Sequence, residues 1–288
     1  MKVLVLGAGG QVGQALVKSA PRGVTLLAAS HHDLDIADES AVQAYVRRSQ
    51  PNAIVNAAAY TAVDRAETEP GIAQRVNTTG PRHLASIARD CEIRLIHLST
   101  DYVFDGTSST PYRPEYATRP LNVYGDTKRR GEEAVLEILA DRALILRTSW
   151  VYAARGRNFL NTMLAHMRDK RAVRVVADQI GAPTAAHSVA GALWNLIAQP
   201  ELAGIFHWTD AGVASWYDFA VAIAEEGALR NLVPQDVTVT PIPSSGYPTH
   251  AVRPRFSVLD TSGLTERGLV ARHWRTALRA VLAELAGA

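Results

Sequence analysis

In the first half of the chain, short apolar runs alternate with longer segments whose apolar residues recur at helical spacing. Val3–Leu6, Thr25–Ala29, Ala53–Asn56, Arg94–Leu98 and Leu144–Arg147 read as strands, and residues 10–19, 39–48, 72–90 and 122–139 as amphipathic helices. Strand–helix alternation of this kind argues for a parallel sheet covered on both faces. With right-handed crossovers, the alternation predicts an α/β fold: a doubly wound parallel sheet of the Rossmann type. Beyond about residue 150 the rhythm changes. Residues 158–169, 187–198 and 216–227 read as helices, 172–176 and 204–208 as strands, and Trp274–Ala286 as a closing helix after a Pro- and Ser-rich stretch, Pro241–Pro254. No repeat or flexible linker separates the halves. Residues 1–150 are therefore expected to form the dinucleotide-binding domain. Residues 151–288 are expected to form a smaller α+β region, mainly substrate-binding, packed on the sheet edge.

Composition narrows the function by exclusion. The 288 residues carry a net charge of +2, with basic residues scattered, which argues against nucleic acid or an anionic membrane as partner. Only four residues are Lys (Lys2, Lys18, Lys128 and Lys170). Cys91 is the single cysteine, so no internal disulfide forms, and the chain fits a reducing cytoplasm. No Cys/His metal spacing is present, and the His31-His32 pair alone does not make one, so no metal is expected. The chain starts directly in a strand, and the expectation is no signal peptide and no membrane span.

Gly7-Ala8-Gly9-Gly10-Gln11-Val12-Gly13 follows the first strand and opens the first helix. In such a loop Gly7 permits the tight turn, Gly10 lets backbone approach a pyrophosphate, and Gly13 lets the helix pack on the strand. The free N–H groups and dipole of the helix start then receive phosphate. A string of glycines also suits an ordinary turn, but its position between strand and helix favours a dinucleotide. At the end of the second strand, Ala29-Ser30-His31 lacks the acid that grips the ribose 2′-hydroxyl of NAD. NADPH is therefore the expected cofactor, with NADH as the alternative. Asp35 and Ile36 suit the flank of an adenine, although Asp35 equally suits a solvated loop. The small residues after the third strand, Asn56-Ala57-Ala58-Ala59-Tyr60, allow a cofactor to lie against backbone.

Tyr124 and Lys128 stand one helical turn apart on one face. A phenol titrates near 10, and a neighbouring ammonium favours its ionised form. The pair alone is weak, because about 0.1 accidental matches are expected from nine Tyr and four Lys in 288 residues. Thr100, at the end of the fourth strand, strengthens it by offering a hydroxyl to the same substrate oxygen. The expected roles are hydrogen bonding to a carbonyl by Thr100, protonation of its oxygen by Tyr124, and support of Tyr124 and of the nicotinamide ribose by Lys128.

These strings resemble those of the extended short-chain dehydrogenase/reductases, and within them the dTDP-4-dehydrorhamnose reductase family. The shared segments are GAGGQVG at 7–13, VNAAAYTAVDRAE at 55–67, STDYVFDG at 99–106, PLNVYGDTK at 120–128, RTSWVY at 147–152, DQIGAPT at 178–184 and RP at 253–254. The resemblance implies reduction of the 4-keto group of dTDP-4-dehydro-L-rhamnose to dTDP-L-rhamnose, the last step in making a rhamnose donor for bacterial surface polysaccharide. It implies that Thr100, Asp101 and Trp150 touch the sugar nucleotide and that Arg253 meets its diphosphate. It implies that Gly10, Gln11, Val12, Asp35, Ile36, Ala59, Tyr60 and Thr61 touch the cofactor, and Ala58 lies in the same turn. Some members of the family dimerise through magnesium held by glutamates. Here the matching positions are Ala15, His187 and Glu284, so the expectation is a monomer or weak dimer without a bridging metal.

Two alternatives follow from the same residues. A sugar-nucleotide epimerase or dehydratase shares the loop and the Tyr–Lys pair, but dehydratases of this superfamily carry an Asp-Glu pair where this chain has Asp101-Tyr102. A non-catalytic regulatory subunit, resembling that of methionine adenosyltransferase, keeps the fold without needing Thr100, Tyr124 and Lys128 intact.

Overall fold

The computed structural model describes residues 1–287. The strands β1 (Lys2–Leu6), β2 (Thr25–Ala29), β3 (Ala53–Asn56), β4 (Arg94–Thr100) and β5 (Leu144–Thr148) form one parallel sheet with a sixth strand, Gly204–His207. Their spatial order is Gly204–His207, β5, β4, β3, β1, β2. The chain therefore winds outward in both directions from the gap between β1 and β3. That gap is the topological switch point, where loops from the carboxyl ends diverge and leave a crevice.

Both faces of the sheet are covered, which explains the continuous apolar strands. Val3 and Val5 of β1 pack with the Gln11–Lys18 and Ala186–Ile197 helices, while Leu4 and Leu6 pack with the Glu39–Ser49 and Gly80–Asp90 helices. A third cluster, including Tyr152, Leu160, Phe219, Trp274 and Leu278, holds the remainder together. Expected and observed elements differ in several places, and short elements such as the Val63–Thr68 helix and the Val151–Tyr152 strand were not expected. The expected helix over 72–90 is Pro70–Gln74, a π-turn at Arg75–Thr79, and Gly80–Asp90. The Pro- and Ser-rich stretch begins within a strand, Thr238–Ile242, paired in parallel with Ala172–Val176. The expected division at residue 150 is crossed by the core, because Gly204–His207 completes the sheet and Ala186–Ile197 covers it.

The Val123–Leu139 helix places the Tyr–Lys pair. Asn122 caps it, its side chain accepting from the Gly125 N–H at 2.8 Å. Its buried face carries Tyr124, Lys128 and Glu132 at successive turns. Glu132 takes a two-pronged bond from Arg147 of β5, at 2.9 and 2.6 Å, with both side chains no more than 3% exposed. Arg147 also lies over the Phe104 ring and donates to the Pro114 carbonyl at 3.2 Å. Removing one partner of such a pair strands a buried charge. Glu132→Ala is expected to lower unfolding free energy by about 3–5 kcal/mol, measured by urea denaturation, whereas replacing both residues with apolar side chains of similar volume should cost far less.

Candidate active site

The glycine loop occupies the switch point. Gly7 turns at φ +76°, and a Cβ there would lie 2.5 Å from the Ala58 nitrogen. A Cβ on Gly13 would lie 2.2 Å from the Gly7 carbonyl oxygen, so this glycine lets the helix sit against the loop. Gly10 is the N-cap and offers no side-chain cap, and the first turn holds no acid. The N–H groups of Gln11, Val12 and Gly13 have no backbone acceptor. An open helix start beside a loop with no side chains fits the pyrophosphate of a dinucleotide.

The other expected cofactor residues divide by burial. Val12 is in the core, so only its backbone faces the loop. The Gln11 side-chain oxygen Oε1 accepts from the Asn158 amide at 2.8 Å. Ala58 donates its N–H to Asn56 Oδ1 at 3.2 Å, and Ala59 is half-buried beside it. Tyr60 is held through its backbone by Asn77 and through its hydroxyl by Glu69, and Thr61 is exposed. Asp35 pairs with Arg75 and accepts from the Ala37 N–H at 3.0 Å. Ile36 is 3% exposed and its side chain packs in the core.

Thr100 ends β4, and Tyr124 and Lys128 face this edge from the buried side of the Val123–Leu139 helix. Thr100 donates to Asp101 at 3.0 Å and accepts from the Tyr102 N–H at 3.2 Å. Asp101 is buried, and its second oxygen has no partner among the described residues. Burial pushes its carboxyl up to about 6. The ring of Tyr124 stands edge-on to that of Tyr102, centroids 5.7 Å apart. Burial pushes the Tyr124 phenol up to about 12; the Thr100 hydroxyl works against this and the Asp101 charge adds to it. Lys128 donates to the Leu98 carbonyl at 2.7 Å, and its nitrogen lies 3.5 Å from His97 Nε2. Burial brings Lys128 down to about 8, with Glu132 opposing. The expected lowering of the phenol by Lys128 is not seen: burial dominates, and the lysine nitrogen is bonded to Leu98 instead. The result is a phenol held in its protonated form, as a proton donor requires.

Just past the carboxyl end of β5, Trp150 adopts φ +47° and stacks flat on Trp216, centroids 3.4 Å apart. The Trp216 N–H donates to Gln179 at 3.2 Å. Arg253 does not present a free fork. It gives both ends to Asp64 on the Val63–Thr68 helix, at 2.6 and 3.2 Å. Asn56, Asn77, His97, Glu132 and Trp216 were not singled out from sequence. The available signal for the first and third was a polar residue in an otherwise apolar buried strand.

A glycine loop at the switch point and a buried tyrosine facing the end of β4 give the chain the layout of an NADP-dependent oxidoreductase with a Rossmann-like fold. Comparison narrows the class. The model of the family described as RmlD substrate binding domain matches residues 1–286, and the chain belongs to that family. The chain is 43% identical to a dTDP-4-keto-6-deoxy-D-glucose reductase of Streptomyces niveus, covering 96% of this chain and 94% of the relative. It is also 43% identical to a dTDP-4-dehydrorhamnose reductase of Streptomyces griseus, over 99% and 94% of the two chains. A crystal structure of dTDP-4-dehydrorhamnose reductase from Bacillus anthracis in complex with NADP superposes with a TM-score of 0.92 at 33% identity, covering 98% of this chain and 99% of that one.

Asp101 gives this site a signature in stability. Its raised value means that the folded state binds a proton more tightly than the unfolded state between about pH 4 and 6. Stability should therefore fall as pH rises through that window. Asp101→Asn is expected to flatten this dependence and to add up to about 3 kcal/mol at pH 7, measured by denaturation at several pH values.

Proposed function

We propose that the chain is an NADPH-dependent reductase that converts the 4-keto group of dTDP-4-dehydro-L-rhamnose to the alcohol of dTDP-L-rhamnose, the last step in making that sugar donor. The observation that carries this reading is the protonated, buried Tyr124 phenol beside the Thr100 hydroxyl at the switch-point side of the sheet, in a chain of this family. NADPH, when bound, supplies the hydride. The open first turn of the Gln11–Lys18 helix and the bare Gly7 loop would hold its pyrophosphate, and Ala58, Ala59, Tyr60 and Thr61 would contribute to the same site. Thr100 orients the ketone oxygen by donating to it, which requires the hydroxyl to exchange its present bond to Asp101. Tyr124 then gives that oxygen its proton as negative charge develops. Lys128 stabilises the phenolate left behind. Asp101 and Trp150 bound the sugar, and Arg253 reaches a diphosphate by exchanging its bond to Asp64.

Partner and place follow from the same residues. Glu284, the one glutamate at the positions where some relatives hold magnesium, is ion-paired to Lys18 at 2.7 Å. This supports a chain without a metal-bridged dimer. No described helix is long and apolar enough to cross a membrane, and we place the reaction in the cytoplasm.

Incubation with dTDP-4-dehydro-L-rhamnose is expected to consume one NADPH per sugar, read at the cofactor's absorbance. Sugar conversion without net NADPH loss would indicate an epimerase instead, and no conversion with pure substrate a binding subunit. Tyr124→Phe should lower kcat by about 10²–10⁴ while NADPH affinity, read by fluorescence titration, stays unchanged. Retained turnover would remove Tyr124 from the acid's role. Solution mass should not respond to magnesium, and a magnesium-dependent doubling would overturn the metal-free reading.

A further inference from the structure

Behind the lysine lies a closed polar group that the mechanism above does not use. Asn56 and His97 are fully buried, and Lys128 is 2% exposed. Asn56 Oδ1 accepts the Ala58 N–H at 3.2 Å. A backbone N–H can only donate, so the amide oxygen faces Ala58 and the amide nitrogen faces the other way. That nitrogen lies 3.0 Å from His97 Nδ1. It too can only donate, so Nδ1 carries a lone pair. Burial and the neighbouring Lys128 charge hold the His97 ring well below its ordinary titration range, and it is therefore neutral. A neutral imidazole with a bare Nδ1 has its hydrogen on Nε2. This N–H faces Lys128 Nζ at 3.5 Å, while Nζ donates to the Leu98 carbonyl at 2.7 Å. An ammonium has three donors and no acceptor, whereas an amine can accept.

We propose that Asn56 and His97 are positioning residues for Lys128: Asn56 fixes His97 as the Nε2–H tautomer, and that N–H keeps the lysine nitrogen on the Leu98 carbonyl while selecting against its ammonium form. Among the described residues, the other titratable group that acts on the lysine charge is Glu132 on its own helix, with Tyr124 one turn before the lysine and Asp101 just beyond β4. Glu132 favours the ammonium but is committed to Arg147, and Asp101 is bonded to Thr100. Asn56 also connects two parts of the site, since the Ala58 N–H that it orients lies against Gly7. The proposal rests on the role given to Lys128, but its test does not depend on turnover.

Asn56→Asp reverses the arrangement at nearly constant shape. A carboxylate accepts from both Ala58 and His97, which moves the ring hydrogen to Nδ1 and leaves Nε2 to accept from the ammonium. Long-range nitrogen–proton NMR on the full-length chain reads the tautomer. The expected result is Nε2–H in the natural protein and Nδ1–H in the variant. With only four lysines, a selective lysine label resolves Lys128. Its titration midpoint should rise by about one pH unit or more in Asn56→Asp. His97→Phe removes the N–H without adding charge and should also raise the midpoint, which separates the tautomer effect from the new carboxylate. In both variants the limb of the pH–kcat profile that reports Lys128 should move with the midpoint. A charged or Nδ1–H His97 in the natural protein overturns the proposal. So does an unmoved Lys128 midpoint in both variants. If the natural protein fails to turn over the keto sugar while tautomer and midpoint behave as stated, the reductase reading fails and the positioning assignment stands.

Discussion

The seating of one helix on the sheet controls the rest of the site. Tyr124, Lys128 and Glu132 follow one another at single turns along the Val123–Leu139 helix, and each is tied to a different piece of the sheet's carboxyl edge. Lys128 is bonded to the β4 carbonyl of Leu98, and Glu132 to Arg147 on β5. Backbone packing adds a further constraint: a Cβ on Gly125 would lie 2.2 Å from the Tyr102 carbonyl oxygen, so the helix start lies directly on the turn that follows Thr100. A buried ion pair contributes little net stability over an apolar pair, but breaking it is costly. The Glu132–Arg147 pair is best understood as fixing register. If the helix slid by one residue, it would strand two charges and remove the phenol from Thr100.

The same burial sets the chemistry. Asp101, Tyr124 and Lys128 are each pushed toward their neutral forms by loss of water. A neutral phenol is the state that can donate a proton, and a lysine near 8 can carry charge when a phenolate appears beside it. The cost is borne by the fold: an unpartnered oxygen on Asp101 and a strained Trp150 both lie at this edge. Such concentrations of unsatisfied and shifted groups are characteristic of functional sites rather than of cores.

Much of this was legible in the sequence, for physical reasons. β1, β3, β4 and β5 are largely buried, so their apolar runs stand out. The glycine loop and the Tyr–Lys spacing are local patterns, and local patterns survive without coordinates. What stayed hidden depends on contacts across the chain. The π-turn at Arg75–Thr79 exists where Asn77 reaches Tyr60 and Thr127. Arg253 looked free because Asp64, its partner, lies far away in sequence. That the Ile36 side chain packs in the core likewise depends on residues far away in sequence. Gly204–His207 joined the sheet because β5 had an open edge. His97 and Asn56 became informative only when the bond partners of both were known.

Deuteride tracing tests the central claim, that the edge formed by Thr100, Tyr124 and Lys128 reduces a ketone, most directly. With NADPH deuterated at the transferable position of the nicotinamide, proton NMR of the sugar nucleotide should show deuterium at C4 of the sugar and one oxidised cofactor for each alcohol formed. Isomerised sugar carrying no deuterium, with the label still on the cofactor, would contradict it.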